Sequence, residues 1–218
     1  AYHWVDTPNI DRLAEEGIRF TRANIGSWCM ASRASILTGL QQHKVESLRM
    51  TGPNPMNVYD PEKCQFWTES LRKQGYHTAQ IGKWHTGVDS GYGRDWDHQI
   101  VWNRPKYPEN SPNYYFDQLI EFDGKEAVLV KEYTTDKYTD WAVEFIKERG
   151  PQSGKPWYLW LCYGGVHAPF TPADRHLEAY EDVTTPRIPD VYPPRPEKPE
   201  YMNQMEFWKP GPNGEPVE

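Results

Sequence analysis

The sequence predicts an α/β fold on a largely parallel sheet, and three observations carry that prediction. Segments with helical periodicity alternate with short apolar runs. Asp123-Gly124 lies between two apolar runs, Leu119 to Phe122 and Ala127 to Val130, which is a hairpin signal. Trp157 to Tyr163 is a continuous apolar run, as a strand buried on both faces would be.

The elements follow in order. Thr7-Pro8 reads as a helix start, with Thr as N-cap and Pro at the first helical position. Ile10, Leu13 and Ala14 share one face of that helix, and Gly17 stops it. Ile18 and Phe20 alternate like a short strand. A second helix is expected from about Ser32 to Thr38, ended by Gly39, and a third from Asp60-Pro61 to Gly75. Tyr76 to Ile81 reads as a short strand leading into Gly82. From Gly91 to Pro112 the pattern is irregular and rich in Trp, Asn and Pro, which predicts a long loop. Tyr138, Trp141, Ala142, Phe145 and Ile146 recur at helical spacing, and Gly150 closes that helix. Beyond Thr184 prolines are dense, so 184–218 is expected to be extended, surface-wrapping chain.

Composition narrows the function. The chain has 218 residues and a formal charge of −7, from 31 acidic and 24 basic side chains. A general nucleic-acid binder would carry a basic excess, so the charge argues against that class while leaving room for a local basic pocket. No apolar run approaches the roughly 20 residues of a membrane helix. No secretory signal is visible at the N-terminus. Three cysteines cannot all pair, which excludes a disulfide framework.

In a parallel sheet, sites lie beyond the carboxyl ends of the strands. Residues after Ile81 and after Tyr163 therefore matter most, together with one helix start. At that start stands Cys29-Met30-Ala31-Ser32-Arg33-Ala34-Ser35-Ile36-Leu37-Thr38-Gly39. Unpaired N–H groups at a helix N-terminus favour an anion and activate a thiol. Arg33 lies one turn on and can lean back towards residue 29. The same spacing also suits a buried structural Cys beside an ordinary helix. A thiolate phosphatase would need Arg at position 35, which is Ser35, and a Gly-rich loop, which is missing.

The second cluster is Gly75-Tyr76-His77-Thr78-Ala79-Gln80-Ile81-Gly82-Lys83-Trp84-His85. Residues two apart in extended chain share a side, so Lys83 and His85 can project together as a fixed charge and a proton carrier. A solvated loop end is the plainer reading of that pair. The third cluster is Gly164-Gly165-Val166-His167-Ala168-Pro169-Phe170. Its glycines allow close backbone approach, and Pro169 stiffens the turn carrying His167. His3, His43, His77, His98 and His176 are expected to have no site role, and Cys64 and Cys162 are expected to be structural or buried. The aromatics of 92–116 suit either an irregular core or stacking on sugar rings.

Cys29-x-Ala31-Ser32-Arg33, continuing to Leu37-Thr38-Gly39, resembles the signature of the formylglycine-dependent sulfatases, with Ala at the third position in place of the commoner Pro. The segment Thr7-Pro8-Asn9-Ile10-Asp11-Arg12-Leu13-Ala14-Glu15-Glu16-Gly17-Ile18-Arg19-Phe20 and the Gly-Tyr-x-Thr…Gly-Lys-Trp-His pattern ending at His85 resemble the same family. So does His167-Ala168-Pro169.

The resemblance implies a three-layer α/β/α sandwich of the alkaline-phosphatase-like kind and hydrolysis of sulfate esters, of sulfated sugars or polysaccharides. It implies that a formylglycine-generating enzyme converts Cys29 to formylglycine (3-oxoalanine), which then ligates calcium. Lys83 would bind a sulfate oxygen, His85 the formylglycine hydroxyl, and His167 would sit beside the leaving oxygen and the sulfate, with Arg33 completing the set. A periplasmic, extracellular or lysosomal setting is also implied. The family's Asp-Asp pair, its downstream Asp-Asn or Asp-Gln pair and its second Lys have no counterpart at matching positions. The expectation is that residues 1–218 form part of an N-terminal catalytic domain and that this piece alone neither holds calcium tightly nor turns over substrate. Two alternatives remain: a phosphonate or phosphate monoester hydrolase of the same superfamily, and a catalytically silent module that binds sulfate or carbohydrate.

Overall fold

A computed structural model describes residues 5–26, 28–45, 65–150, 153–183, 192–204, 209–212 and 216–217. The chain divides into two compact units, Phe20–Asp174 and a smaller one made of Ala1–Arg19 with Arg175–Glu218. In the smaller unit α1 spans Pro8–Glu16, with Thr7 at the N-cap and Pro8 opening the helix as expected. The Thr7 hydroxyl donates to the Asp11 carboxylate rather than capping the backbone.

The larger unit is built on one mixed sheet. Its elements are α2 (Cys29–Thr38), α3 (Trp67–Lys73), β1 (His77–Lys83), β2 (His98–Trp102), β3 (Gln118–Phe122), β4 (Val128–Val130), α4 (Thr134–Arg149) and β5 (Trp157–Cys162). The strand order is β4-β3-β2-β1-β5. The strands β2, β1 and β5 run parallel, with Gly82 opposite Cys162 and Lys83 opposite Trp102. The strands β3 and β4 are antiparallel and form the hairpin at Asp123-Gly124. A second, two-stranded pair, β6 (Lys209–Pro210) with β7 (Pro216–Val217), belongs to the smaller unit.

Alternation along the parallel strands sorts the core into two faces. Ala79, Ile81, Ile100, Trp102 and Ile120 pack with Tyr138, Ala142 and Phe145 of α4. Val101, Trp84 and Trp96 pack on the other side with Ala34 and Leu37 of α2 and with Phe66. The result is three layers, helix on sheet on helix. Each fully buried side chain of this size contributes about 2 kcal/mol. Of the periodic set on α4, Trp141 is partly buried and Ile146 turns largely to solvent.

Several elements differ from expectation. The strand β2 falls inside the predicted long loop. Its polar residues hid it: Gln99 is buried, but its amide bonds Ser90 through both the hydroxyl and the carbonyl. The helix α2 starts three residues early, so Cys29 lies in its first turn. It ends as expected, with Gly39 in the left-handed region. Asp60 and Pro61 lie outside the described residues, and α3 is seen from Trp67. Ile18 and Phe20 form no strand, are exposed, and have no pairing partner among the described residues. Trp157–Cys162 is a strand, but it sits at the edge of the described sheet, with only Cys162 fully buried.

Two glycines set how closely the chain packs at the site. Gly82 has φ +100°, and a Cβ there would lie 2.0 Å from the Cys162 carbonyl oxygen. A Cβ on Gly164 would lie 2.4 Å from the Tyr114 carbonyl oxygen. At the opposite end of the strands, Arg72 of α3 clasps Asp97. Its Nη2 is 2.7 Å and its Nε 2.9 Å from Oδ1, while Thr78 N–H donates to Oδ2 at 3.0 Å. Burial pushes the Asp97 pKa up, but the Thr78 N–H, Arg72 and His77 outweigh it and hold the carboxyl below its ordinary value.

Gly82→Ala should destabilise the protein by at least about 2 kcal/mol, because it combines left-handed strain with an overlap against backbone. Urea denaturation reads this directly, and an unchanged midpoint would contradict the close approach. Asp97 supplies a second test. Its depressed folded pKa means that its stabilisation is present above the unfolded value of about 3.9 and is lost as pH falls through the folded value. Asp97→Asn should therefore lower stability at pH 7 and flatten the acid limb below about pH 4, as followed by melting temperature against pH.

Candidate active site

The carboxyl ends of β1 and β5 lie side by side, and the N-terminus of α2 meets them there. Trp28 occupies the N-cap without a side-chain cap bond, and the first helical turn closes through Ser32 N–H to Trp28 O at 2.9 Å. The Ser32 hydroxyl donates to the Gly26 carbonyl and pins the approach to the helix. Cys29, half-buried, places Sγ 3.1 Å from Nδ1 of His85 and lies close enough to Lys83 to act on its charge. The structure thus brings together the two residues from the Lys83-Trp84-His85 cluster and the helix-start cysteine.

Arg33 locks this assembly. Its Nη1 donates to the Lys83 carbonyl at 2.8 Å, and its positive charge acts on the Cys162 thiol, opposing the effect of burial there. One guanidinium therefore ties α2 to the end of β1, and its charge reaches the end of β5. Cys162 is buried, as expected, and burial pushes its thiol pKa up. Cys64 lies outside the described residues, as does His3.

The electrostatics are one-sided. Burial lowers the Lys83 pKa; Cys29 opposes the shift, Arg33 and Arg104 add to it, and the result is about 8. His85 is pushed down to about 3, first by burial and then by Lys83, Arg104, Arg33 and His167. Its ring is neutral at pH 7, and Nε2 is buried without a hydrogen-bond partner. Among the described residues no carboxylate pairs with Arg33, Lys83 or Arg104. A buried cluster of cations lacking a counter-charge is a site for an anion.

His167 follows β5, as expected. Nδ1 lies 2.8 Å from the Ala168 carbonyl, which can only accept, so Nδ1 carries the hydrogen and Nε2 is left open. Two consecutive tyrosines hold this residue. The Tyr114 ring stacks on the imidazole with centroids 3.8 Å apart and planes 10° apart. The Tyr115 hydroxyl donates to His167 O at 2.7 Å and accepts from His167 N–H at 3.1 Å. Lys83 Nζ lies 4.9 Å from the Tyr114 ring centroid and 5.8 Å from that of Trp102.

Tyr114, Tyr115 and Arg104 were not singled out by sequence. Of the aromatics in 92–116, Trp96, Trp102, Tyr114 and Tyr115 are buried core, and Tyr114 is core and site at once. Asn103-Arg104-Pro105 directly follows the carboxyl end of β2, the neighbour of β1. Reading β2 as loop removed the signal that would have drawn attention to Arg104. His77 and His98 stack on Phe145, away from the cluster.

A calcium ion does not fit the described residues as they stand. None of them form a group of three or more His, Cys, Asp or Glu side chains able to hold a metal. The charges that reach Cys29 are cations, and a hard divalent ion wants oxygen ligands.

A family model described as Sulfatase matches residues 1–205. N-acetylglucosamine-6-O-sulfatase of Bacteroides thetaiotaomicron is 31% identical over 189 residues, covering 86% of this chain and 31% of that protein. Human N-acetylgalactosamine-6-sulfatase is 28% identical over 192 residues, covering 75% of this chain and 35% of that protein. The solved structure of BT4656 with its substrate D-glucosamine-2-N,6-O-disulfate superposes with a TM-score of 0.71 at 29% identity, over 86% of this chain and 35% of that one. The chain spans about a third of the length of the curated relatives it matches. The shared architecture is the alkaline-phosphatase-like α/β/α sandwich. With the match running across nearly its whole length, the chain belongs to the sulfatase family.

Proposed function

We propose that the protein hydrolyses sulfate esters of sulfated sugars, and that Cys29 acts after oxidation to formylglycine. The observation that carries the reading is the partly buried cation cluster around Cys29, free of any carboxylate counter-charge among the described residues. The relatives named for glucosamine and galactosamine sulfates support a sugar substrate. A hydrated aldehyde at residue 29 would supply a hydroxyl nucleophile whose second hydroxyl gives the sulfate a way off. The surroundings fit that group, because the first turn of α2 offers unpaired N–H groups beside His85 and Lys83.

The chain's own residues then divide the work. Lys83, still largely protonated at pH 7 with a pKa of about 8, donates to a sulfate oxygen. Neutral His85 offers a ring nitrogen within hydrogen-bond reach of residue 29 and can take a hydroxyl proton there. Arg33 holds the Lys83 backbone in place and adds positive charge. His167, fixed by Tyr114 and Tyr115, presents Nε2 to the leaving oxygen. Fixed donors aimed at developing negative charge usually supply the largest share of catalysis. In this reading calcium belongs to the whole protein, and its remaining ligands come from outside the described residues. A phosphate or phosphonate ester hydrolase would use the same cluster, and the sugar sulfatases among the relatives favour sulfate.

Mass spectrometry of the tryptic peptide Ala23 to Arg33 tests the nucleophile, with protein made in its native host or beside a formylglycine-generating enzyme. The expected species is the aldehyde or its hydrate. An unmodified thiol under those conditions would favour the silent binding module instead. The role of His167 has its own test in the intact protein. His167→Ala should lower turnover of a sugar sulfate by about 100-fold or more, and turnover of 4-nitrophenyl sulfate, whose leaving group needs no proton, by clearly less. Tyr114→Leu should show the same pattern in weaker form. Equal losses on both substrates would remove His167 from the leaving-group position.

A further inference from the structure

Arg104 is a cation that none of the roles above use. It lies just beyond the carboxyl end of β2, on the edge of the sheet where β1 delivers Lys83. Its guanidinium carbon is 5.1 Å from the Tyr114 ring centroid and 6.0 Å from that of Trp102, the same two rings that Lys83 Nζ approaches. Both of its hydrogen-bond partners are neutral: Nη1 donates to the Tyr114 hydroxyl, and Nη2 to the Ser111 hydroxyl at 2.6 Å. Nε is buried and bonds to nothing. Among the described residues no carboxylate answers its charge. Glu121, on the neighbouring strand β3, is taken by Lys106.

A structural arginine in a protein interior ordinarily finds a carboxylate or a set of carbonyls. Arg72 does so here, with Asp97 and the carbonyls of Gly93 and Arg94. Arg104 instead is fixed by two hydroxyls at the lip of the anion site and keeps an unused donor. Fixing a guanidinium without neutralising it is what recognition of an anion requires. Lys83 and Arg104 flank one ring, so one small ligand can reach both.

We propose that Arg104 binds a second anionic group on the substrate, so that the site selects sugars carrying another negative substituent besides the sulfate removed. This rests on the sulfate-ester reading above. Tyr114 then has two duties: its ring face supports His167 and its hydroxyl aims Arg104.

The experiment uses the intact protein and two probes that differ in one charge, glucosamine-2-N,6-O-disulfate and N-acetylglucosamine-6-O-sulfate. Turnover of 4-nitrophenyl sulfate serves as the reference. Wild type should prefer the disulfate in kcat/KM, and Arg104→Met should reduce that preference by tenfold or more, through KM. Arg104→Lys should keep part of it. Tyr114→Phe breaks the hydroxyl contact but leaves the guanidinium charge, so it should cost less preference than Arg104→Met. If Arg104→Met lowers both sugars and the aryl sulfate by one common factor, or changes nothing, the proposal is overturned while the sulfatase reading stands. A wild type that prefers neither sugar overturns it as well. Failure of wild type on all three substrates would overturn the underlying reading, and this inference with it. Melting temperatures of the three variants separate loss of selectivity from loss of fold.

Discussion

The close approach of β1 and β5 at Gly82 and Cys162 is the constraint on which the rest of the site depends. With no side chain at residue 82, the two backbones come near enough that a Cβ would collide with the Cys162 carbonyl. That contact fixes the register in which Lys83 and His85 leave one strand while the Gly164 loop leaves the other. Arg33 then holds one strand end through the Lys83 carbonyl, and its charge acts on the Cys162 thiol at the other. Because Arg33 is on α2, this one side chain also sets where Cys29 stands. Fold and site are joined through three residues, none of which would have to touch a substrate to matter.

The second constraint is charge. Gathering Arg33, Lys83 and Arg104 in a half-buried place, with no paired carboxylate among the described residues, is unfavourable in the absence of an anion, and it adds to the burial that already lowers the pKa values of Lys83 and His85. The charge-pairing elsewhere in the larger unit is ordinary: Arg72 with Asp97, Arg94 with Asp89 and Asp95, Lys106 with Glu121. Acidic residues are plentiful in the chain, yet among the described residues none pairs with the cations of this edge of the sheet. The imbalance is what ties a fold shared by many activities to the handling of an anion.

What could be read from sequence divides along the same physical line. Helix ends were legible where a residue has one conformational use, as with Pro8 at the start of α1 and Gly39 after α2. The hairpin was legible because Asp123-Gly124 suits the tight turn. The strand β2 was not, since its buried Gln99 looks like loop chemistry until Ser90 is seen to satisfy it. The early start of α2 was missed because Trp28 gives no side-chain cap. Cys29, Arg33, Lys83, His85 and His167 were each picked out in short local clusters, and the structure draws them to one edge. Arg104, Tyr114 and Tyr115 were not, because their neighbours in space are far off in sequence, as with Tyr115 and His167, or lie in a stretch without periodicity.

That last group shows why irregular chain carries so much here. Between β2 and β3 the backbone has no ladder to satisfy its polar groups, so side chains do it: Asn110 bonds Leu119 through both backbone groups, and Gln118 bonds the Asn113 carbonyl. A loop tied down in this way holds its own backbone in place, and it presents Tyr114 edge-on to Trp102 and face-on to His167. The Tyr114 carbonyl packs so closely on Gly164 that any side chain there would collide with it, which couples the position of the loop to that of the turn carrying His167. Rigidity in the segment holding Arg104 and Tyr114 follows from its internal hydrogen bonds. Selectivity assigned to Arg104 therefore does not require that a ligand first order the loop.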